Sequence, residues 1–248
     1  MQGRRLAAVC ERVHDLGVMD QQLTDVVQLR PAGEVDLPDI SRIMNYPPEP
    51  PTATLLGAVR ASRFGDLLVR SGASVALERT TVATLNAAVV GMMDCGSQYA
   101  VRLTFPRVLR LLPRAVVVLG PALPRGLYGM WLRQRVQFES MPDAFPVAEL
   151  YVDDRLRNRG IGGRLLRHAE DLARRSGSPR MCLETGITNP ARRLYERHGY
   201  RVIATKVSAQ YERMTGSPGR ILMVNDLHVE SQAPPSGTHG QPHELWTR

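Results

Sequence analysis

Lysine is almost missing from this chain: Lys206 is the only one, and the formal net charge of +8 rests almost wholly on arginine. That scarcity excludes a P-loop, whose Gly-x-x-x-x-Gly-Lys needs a lysine beside the nucleotide phosphates, because Lys206 lies far from any such glycine pair. Cysteine is scarce as well. Cys10, Cys95 and Cys182 are odd in number and widely separated, which argues against a disulfide framework or a zinc knuckle and reads as small apolar residues. No run of about eighteen apolar residues is present, so no membrane-spanning helix is expected. No signal-peptide core forms either, since Glu11, Arg12 and Asp15 interrupt the N-terminal segment. These absences together lead to the expectation of a cytoplasmic protein without a membrane partner.

What is present is an ordinary globular balance, 43% hydrophobic and 23% charged over 248 residues. The arginine excess reads either as coding composition or as a general attraction to anionic ligands, nucleic acid being the lesser expectation. Residues 1–24 read as an appended helix, 25–227 as the body with an insertion at about 97–141, and 228–248 as a disordered tail with few core-forming residues. Within the body, Asp25 to Arg30 reads as a strand closed by Pro31, and Asp36 to Met44 as a helix with Asp36 as N-cap. A further helix follows Tyr46 to Pro51, with Leu55, Leu56, Val59, Phe64, Leu67 and Leu68 on its apolar side. Val82 to Leu85 and Val89 to Met93 suggest a hairpin. In the insertion, Leu109, Leu112, Val116, Leu119, Leu127, Met130, Trp131 and Leu132 either pack on the body or wall an acceptor pocket.

From Pro146 onward the pattern is regular. Val147 to Val152 reads as a strand, Ile161 to Ala173 as an amphipathic helix, Arg180 to Thr185 as a strand, Asn189 to His198 as a short helix, and Tyr200 to Val207 and Arg220 to Val224 as two more strands. The order strand, glycine loop, helix, strand favours a right-handed crossover between parallel strands. Between the first strand and the helix stand Arg157-Asn158-Arg159-Gly160-Ile161-Gly162-Gly163-Arg164, whose glycines expose backbone N–H groups at the positive end of a helix dipole. This stretch is either an anion cradle or a structural turn. A dinucleotide fingerprint fits poorly, because Leu165 stands where the third glycine belongs and seven residues separate Val152 from Gly160.

The same stretch resembles the R/Q-x-x-G-x-G/A signature of the GNAT acetyltransferases, with Arg157, Gly160 and Gly162 on its defining positions. Asn189-Pro190-Ala191-Arg192-Arg193-Leu194-Tyr195-Glu196-Arg197-His198-Gly199-Tyr200 resembles the closing motif of that family, in the right order and about thirty residues on. The resemblance implies an α/β fold of the α+β kind: a mixed central sheet flanked by helices, here with a helical insertion.

It also implies acetyl-CoA as acyl donor, with no metal and no membrane, a small-molecule or protein amine as acceptor, and allows a homodimer. Backbone from Asn158 to Arg164 would hold the pyrophosphate, with Arg157, Arg159 and Arg164 adding charge, while Leu150, Tyr151 and Val152 would pair with the pantetheine arm. Tyr195 matches the general acid of the family, against the plainer reading of a core tyrosine. Asn189 would contact the cofactor or cap the helix that carries Tyr195. Glu149, on the same side of its strand as Tyr151, is the candidate base or amine-binding acid, against a surface role. Asp153 and Asp154 read as solvated loop charges. A non-catalytic acyl-CoA-binding module is the alternative to an enzyme.

Overall fold

The computed structural model describes residues 27–46, 50–72, 74–96, 105–139 and 141–227. The helix expected over 1–24 and the tail at 228–248 lie outside the described residues, as do part of the proline-dense break and residues 97–104 of the insertion.

The described residues open with strand β1 (Gln28–Pro31), then helix α1 (Leu37–Asn45), α2 (Pro50–Leu56) and α3 (Ala58–Arg70). The hairpin β2 (Thr80–Leu85) and β3 (Ala88–Cys95) leads to α4 (Phe105–Leu119) and α5 (Leu123–Arg135). There follow β4 (Ala144–Val152), α6 (Ile161–Arg175), β5 (Arg180–Gly186), α7 (Arg192–Arg197), β6 (Arg201–Val207), α8 (Ala209–Thr215) and β7 (Gly219–Asp226). All seven strands join one mixed sheet in the order β1-β2-β3-β4-β5-β7-β6, antiparallel throughout except for the parallel pair β4–β5. The expected crossover is therefore present, with α6 as its helix.

Apolar periodicity decides which side each helix covers. On one face Ile161, Leu165, Leu166, Ala169 and Ala173 of α6 are buried against Val27, Met93, Val147, Met181 and Met223. On the other, Ile40 and Ile43 of α1 and Val69 of α3 meet Val82, Val89 and Met92. Further along that second face, Phe138 packs with Cys182, Leu222 and Val224. Burial of apolar surface at about 25 cal/mol per Å² is the main term holding these layers together.

Several local expectations change. Asp36 makes no side-chain cap; its carboxylate is drawn instead into a bidentate pair with Arg30 at 2.7 Å and accepts the Gly33 N–H. The helix expected after the prolines is two helices, α2 and α3, divided at Gly57 in the left-handed region (φ 79°), and Val59 faces solvent at 66% exposure. The hairpin holds, turning on Asn86 and Ala87, both at positive φ, with Leu85 opposite Ala88. Helix α8, capped by the Ser208 hydroxyl on the Tyr211 N–H, has no counterpart among the sequence expectations.

The insertion does rest on the body, through two of the eight large apolar side chains expected there. Leu119 and Leu132 are buried, while Leu109, Leu112, Val116, Leu127, Met130 and Trp131 are exposed. Glycine brings the helices close as well: a Cβ on Gly129 would fall 2.1 Å from Leu55 Cδ2, and one on Gly126 would fall 3.3 Å from Leu56 Cδ2. Close helix approach through glycine leaves no apolar stripe for periodicity to find. By length and composition alone Leu109–Arg135 would suffice to cross a bilayer, yet a 3-10 turn at Gly120–Ala122 divides it into α4 and α5.

Candidate active site

The site is built on strand β4. Its first four residues run beside β5, from Ala144 opposite Arg180 to Val147 opposite Leu183, and there the ladder ends. Strand β5 continues to Gly186, bonded to β7 alone, while β4 continues to Val152, bonded to β3 alone. The two central strands thus part beyond Val147. Register locates the cause: Asp94 faces Glu149 and Cys95 faces Val147, so Ala148 is an extra residue in β4. Such a bulge bends its strand and increases local twist, turning Glu149–Val152 away from β5. The β5-facing edge of that segment is left without a ladder partner among the described strands.

After Val152 the chain is tied down before it reaches the glycines. Asp153 donates its N–H to Val90 O at 2.9 Å and accepts the Arg155 N–H on its carboxylate. Leu156 is buried in the α6-side core, and Asn158 (φ 61°) and Gly160 (φ 77°) take left-handed conformations, which glycine tolerates freely and asparagine better than most residues. The first intrahelical bond runs from the Arg164 N–H to Gly160 O at 3.0 Å. The N–H groups of Ile161, Gly162 and Gly163 therefore have no acceptor within the helix, at the end where its dipole is positive.

The glycines divide their work. Gly160 is exposed, whereas Gly162 and Gly163 are buried under α7. A Cβ on Gly162 would sit 3.0 Å from Leu194 Cδ2 and 3.7 Å from Val152 Cγ2, and one on Gly163 would sit 3.0 Å from His198 Nε2. Two of the three glycines thus serve close packing between α6 and α7, and the extra Gly163 makes room for a histidine. Arg157 and Asn158 are exposed, Arg159 and Arg164 half-buried, and Arg157 Nε reaches Val152 O only at 3.4 Å.

The second motif meets the first through Leu194. Asn189 Oδ1 accepts the Ala191 N–H at 2.9 Å in the turn that leads into α7, while the N-cap of α7 itself is Ala191 and has no side-chain cap bond. Tyr195 is 7% exposed and packs on Tyr200, ring centroids 6.0 Å apart, within the α6-side core. Leu150 and Val152 point to that same face, and Tyr151 packs on the opposite one. Alternation puts Glu149 with Tyr151. Glu149 and Tyr195 consequently belong to opposite faces of the sheet, and Glu149 lies just beyond the last pair of the β4–β5 ladder.

Three charged residues of this region take roles that the sequence reading did not give them. Asp153 is buried, 3% of its side chain exposed, and pairs with Arg42 Nη1 of α1 at 2.6 Å, which corrects its reading as a solvated charge. Burial opposes its ionisation, but the hydrogen bond from Arg42 and that from the Arg155 N–H outweigh it and hold the carboxyl below the ordinary range. Glu184, in the β5 segment beyond the parting, accepts the Phe138 N–H at 3.1 Å and pairs with Arg220 at 3.3 Å. Asp94 in β3 is fully buried, and burial pushes its carboxyl up to about 6, ahead of the opposing attraction of Arg79. A lone aspartate closing the apolar run Val89 to Met93 was the available signal, since a fully buried carboxylate is rare.

Among the described residues no group of three or more His, Cys, Asp or Glu is arranged to hold a metal ion. Cys95 and Cys182 are buried free thiols whose burial raises both to about 11, which keeps them protonated and unreactive.

A search of curated proteins finds no match. Among solved structures, one acetyltransferase superposes with a TM-score of 0.50 at 20% identity, covering 80% of this chain and 98% of its own. The IAA acetyltransferase from Bacillus cereus ATCC 14579 is similar at a TM-score of 0.45 and 17% identity, over 81% of this chain and 99% of its own. The ribosomal-protein-S18-alanine N-acetyltransferase from Escherichia coli follows at 0.45 and 15%, over 86% and 99%. The first likeness carries the fold, and the other two are looser and add nothing to it. The acetyltransferase (GNAT) domain model matches residues 126–202, a span that takes in α5, the parted strand β4, the glycine turn and both motif-bearing helices. Residues 126–202 thus match an acetyltransferase (GNAT) domain, within a sheet whose fold is shared with a solved acetyltransferase.

Proposed function

We propose that the protein transfers an acetyl group from acetyl-CoA to a primary amine by direct attack within a ternary complex. One observation carries the reading: β4 and β5 part over Glu149–Val152, the segment that leads to the glycine turn, so a thioester arm entering from the α6 side would reach through the sheet to the face that carries Glu149. The N–H groups of Ile161, Gly162 and Gly163 suit the pyrophosphate, since they lack intrahelical acceptors at a positive helix end. Arg157, Arg159 and Arg164 add screened charge there. The β5-facing edge of Leu150, Tyr151 and Val152, beyond the β4–β5 ladder, suits an extended pantetheine arm, which would add to β4 like a short strand.

The chemistry divides across the sheet. The amine nitrogen attacks the thioester carbonyl, and a backbone N–H of β4 stabilises the developing oxyanion. Glu149, on the acceptor face, takes the proton from nitrogen. As the C–S bond breaks, the Tyr195 hydroxyl, on the donor face, protonates the departing thiolate. Neither group is asked to cross the sheet.

The acylated product is read out as thiol release from acetyl-CoA across a panel of primary amines. For Tyr195→Phe, which keeps the buried ring, we expect kcat to fall by about 10²- to 10⁴-fold with CoA affinity unchanged. The deep burial of Tyr195 against Tyr200 favours a second reading, a non-catalytic acyl-CoA-binding module in which the tyrosine is core. Tight CoA binding without turnover of any amine, in wild type and variant alike, would decide for that reading.

A further inference from the structure

Strands β3 and β4 place two carboxylates side by side. Asp94 and Glu149 are partners in the antiparallel register, and residues directly opposite on one face have Cβ atoms about 5 Å apart. The neighbouring pair Met92 and Tyr151 packs on the α1/α3 face, so alternation puts Asp94 and Glu149 on that face too. Glu149 is half-buried next to the parted strands, while Asp94, one strand further in, has no exposed surface at all.

Asp94 is also an orphan. Neither carboxylate oxygen has a hydrogen-bond partner among the described residues. Arg79 Nε comes only to 3.7 Å of Oδ1, beyond hydrogen-bond reach. Thr80, its partner on the β2 side, turns its hydroxyl away to Ala76 O at 2.9 Å. The charged and titratable groups around it are Arg79, the like-charged Glu78, the protonated Cys95 thiol and Glu149. Burying a carboxylate without donors costs several kcal/mol for a purely structural residue.

We propose that Asp94 is a positioning residue acting through Glu149: the two carboxyls form one pair that takes and holds the proton leaving the acceptor amine. The idea rests on the reading of Glu149 as base. In the step, the C–N bond forms as the nitrogen gives its proton to the Glu149 carboxylate, the C–S bond breaks, and sulfur takes the Tyr195 proton. The pair then carries one proton and the tyrosine is an anion, so proton exchange with solvent restores both. An ionised Asp94 behind Glu149 raises the proton affinity of Glu149, because two carboxylates at this spacing in a dry interior resist being charged together.

The test is the pH profile of kcat/KM for the fastest amine of the panel. Asp94→Asn should move the acid limb down by about one pH unit and lower kcat roughly tenfold, since the base loses its charged neighbour. Arg79→Gln should move the limb the opposite way. Glu149→Gln should lose activity by at least 10²-fold. If Glu149→Gln is inactive but Asp94→Asn leaves the limb where it was, the pair is wrong and Glu149 works alone. Wild-type activity in Glu149→Gln would sink the reading of Glu149 itself. A readout that needs no Asp94 variant is carboxyl carbon NMR of the labelled protein, where the Asp94 midpoint should drop in Glu149→Gln. An unmoved midpoint overturns the pair.

Discussion

Arg42 and Asp153 stand 111 residues apart in the sequence and 2.6 Å apart in the fold, joining the first described helix to the turn that launches the glycine loop. Burial opposes the Asp153 charge, but Arg42 and the Arg155 N–H lower its carboxyl below the ordinary value. A lowered acid stabilises the folded state above its unfolded value, about 3.9, and that stabilisation fades as pH falls through the folded one. Chemical denaturation across pH should therefore show a loss below about pH 4 that Asp153→Asn lacks. Arg42→Met, which strands the buried carboxylate, should cost about 2 kcal/mol, less than for a fully buried pair because Arg42 is one-third exposed.

Asp94 predicts the opposite slope. Its folded carboxyl is raised to about 6, so its ionisation weakens the fold as pH climbs from about 4 to 6, after which the penalty stays constant. Asp94→Asn should stabilise the protein at pH 7.5 by up to about 2 kcal/mol and should flatten the profile over that window. Thermal melts at matched pH values check both.

Replacement of the two packed glycines should separate folding from binding. Gly162→Ala drives a Cβ to 3.0 Å from Leu194, which must yield together with α7, at about 1–3 kcal/mol. Gly160→Ala adds strain at φ 77° instead, about 1 kcal/mol, without touching α7. The expected pattern is a larger melting-point loss for Gly162→Ala and a loss of CoA affinity for both, read by calorimetry.

Asn189 holds the turn that leads into α7 by a single side-chain bond to the Ala191 N–H. Asn189→Ala should cost about 1 kcal/mol and Asn189→Asp much less, since aspartate accepts the same bond. If α7 positions Tyr195 for proton transfer, kcat for the alanine variant should fall more than KM rises, with partial rescue by aspartate.

From the strand at Val147 onward the pattern was legible, α8 apart, because the elements there carry their own signals: the α6 stripe has a period near 3.6, and glycines stand at the turn positions that need them. What was hidden depends on partners distant in sequence. Gly126 and Gly129 pack helices by what they lack, so no apolar count reveals them. The burial of Asp153 depends on Arg42, and the pairing of Asp94 with Glu149 depends on a register set by one extra residue at Ala148. A bulge leaves no composition signal, yet it is what turns β4 away from β5.

Strand order has a bearing on biogenesis. β5 and β6 never touch, because β7, the last described strand, lies between them. A nascent chain that has emerged through β6 still lacks the strand on which both must align, and non-local pairing of this kind is slow to form. The half of the sheet beyond the cleft thus waits for Gly219–Asp226, and release of the chain before those residues would leave the glycine loop attached to an unfinished sheet edge.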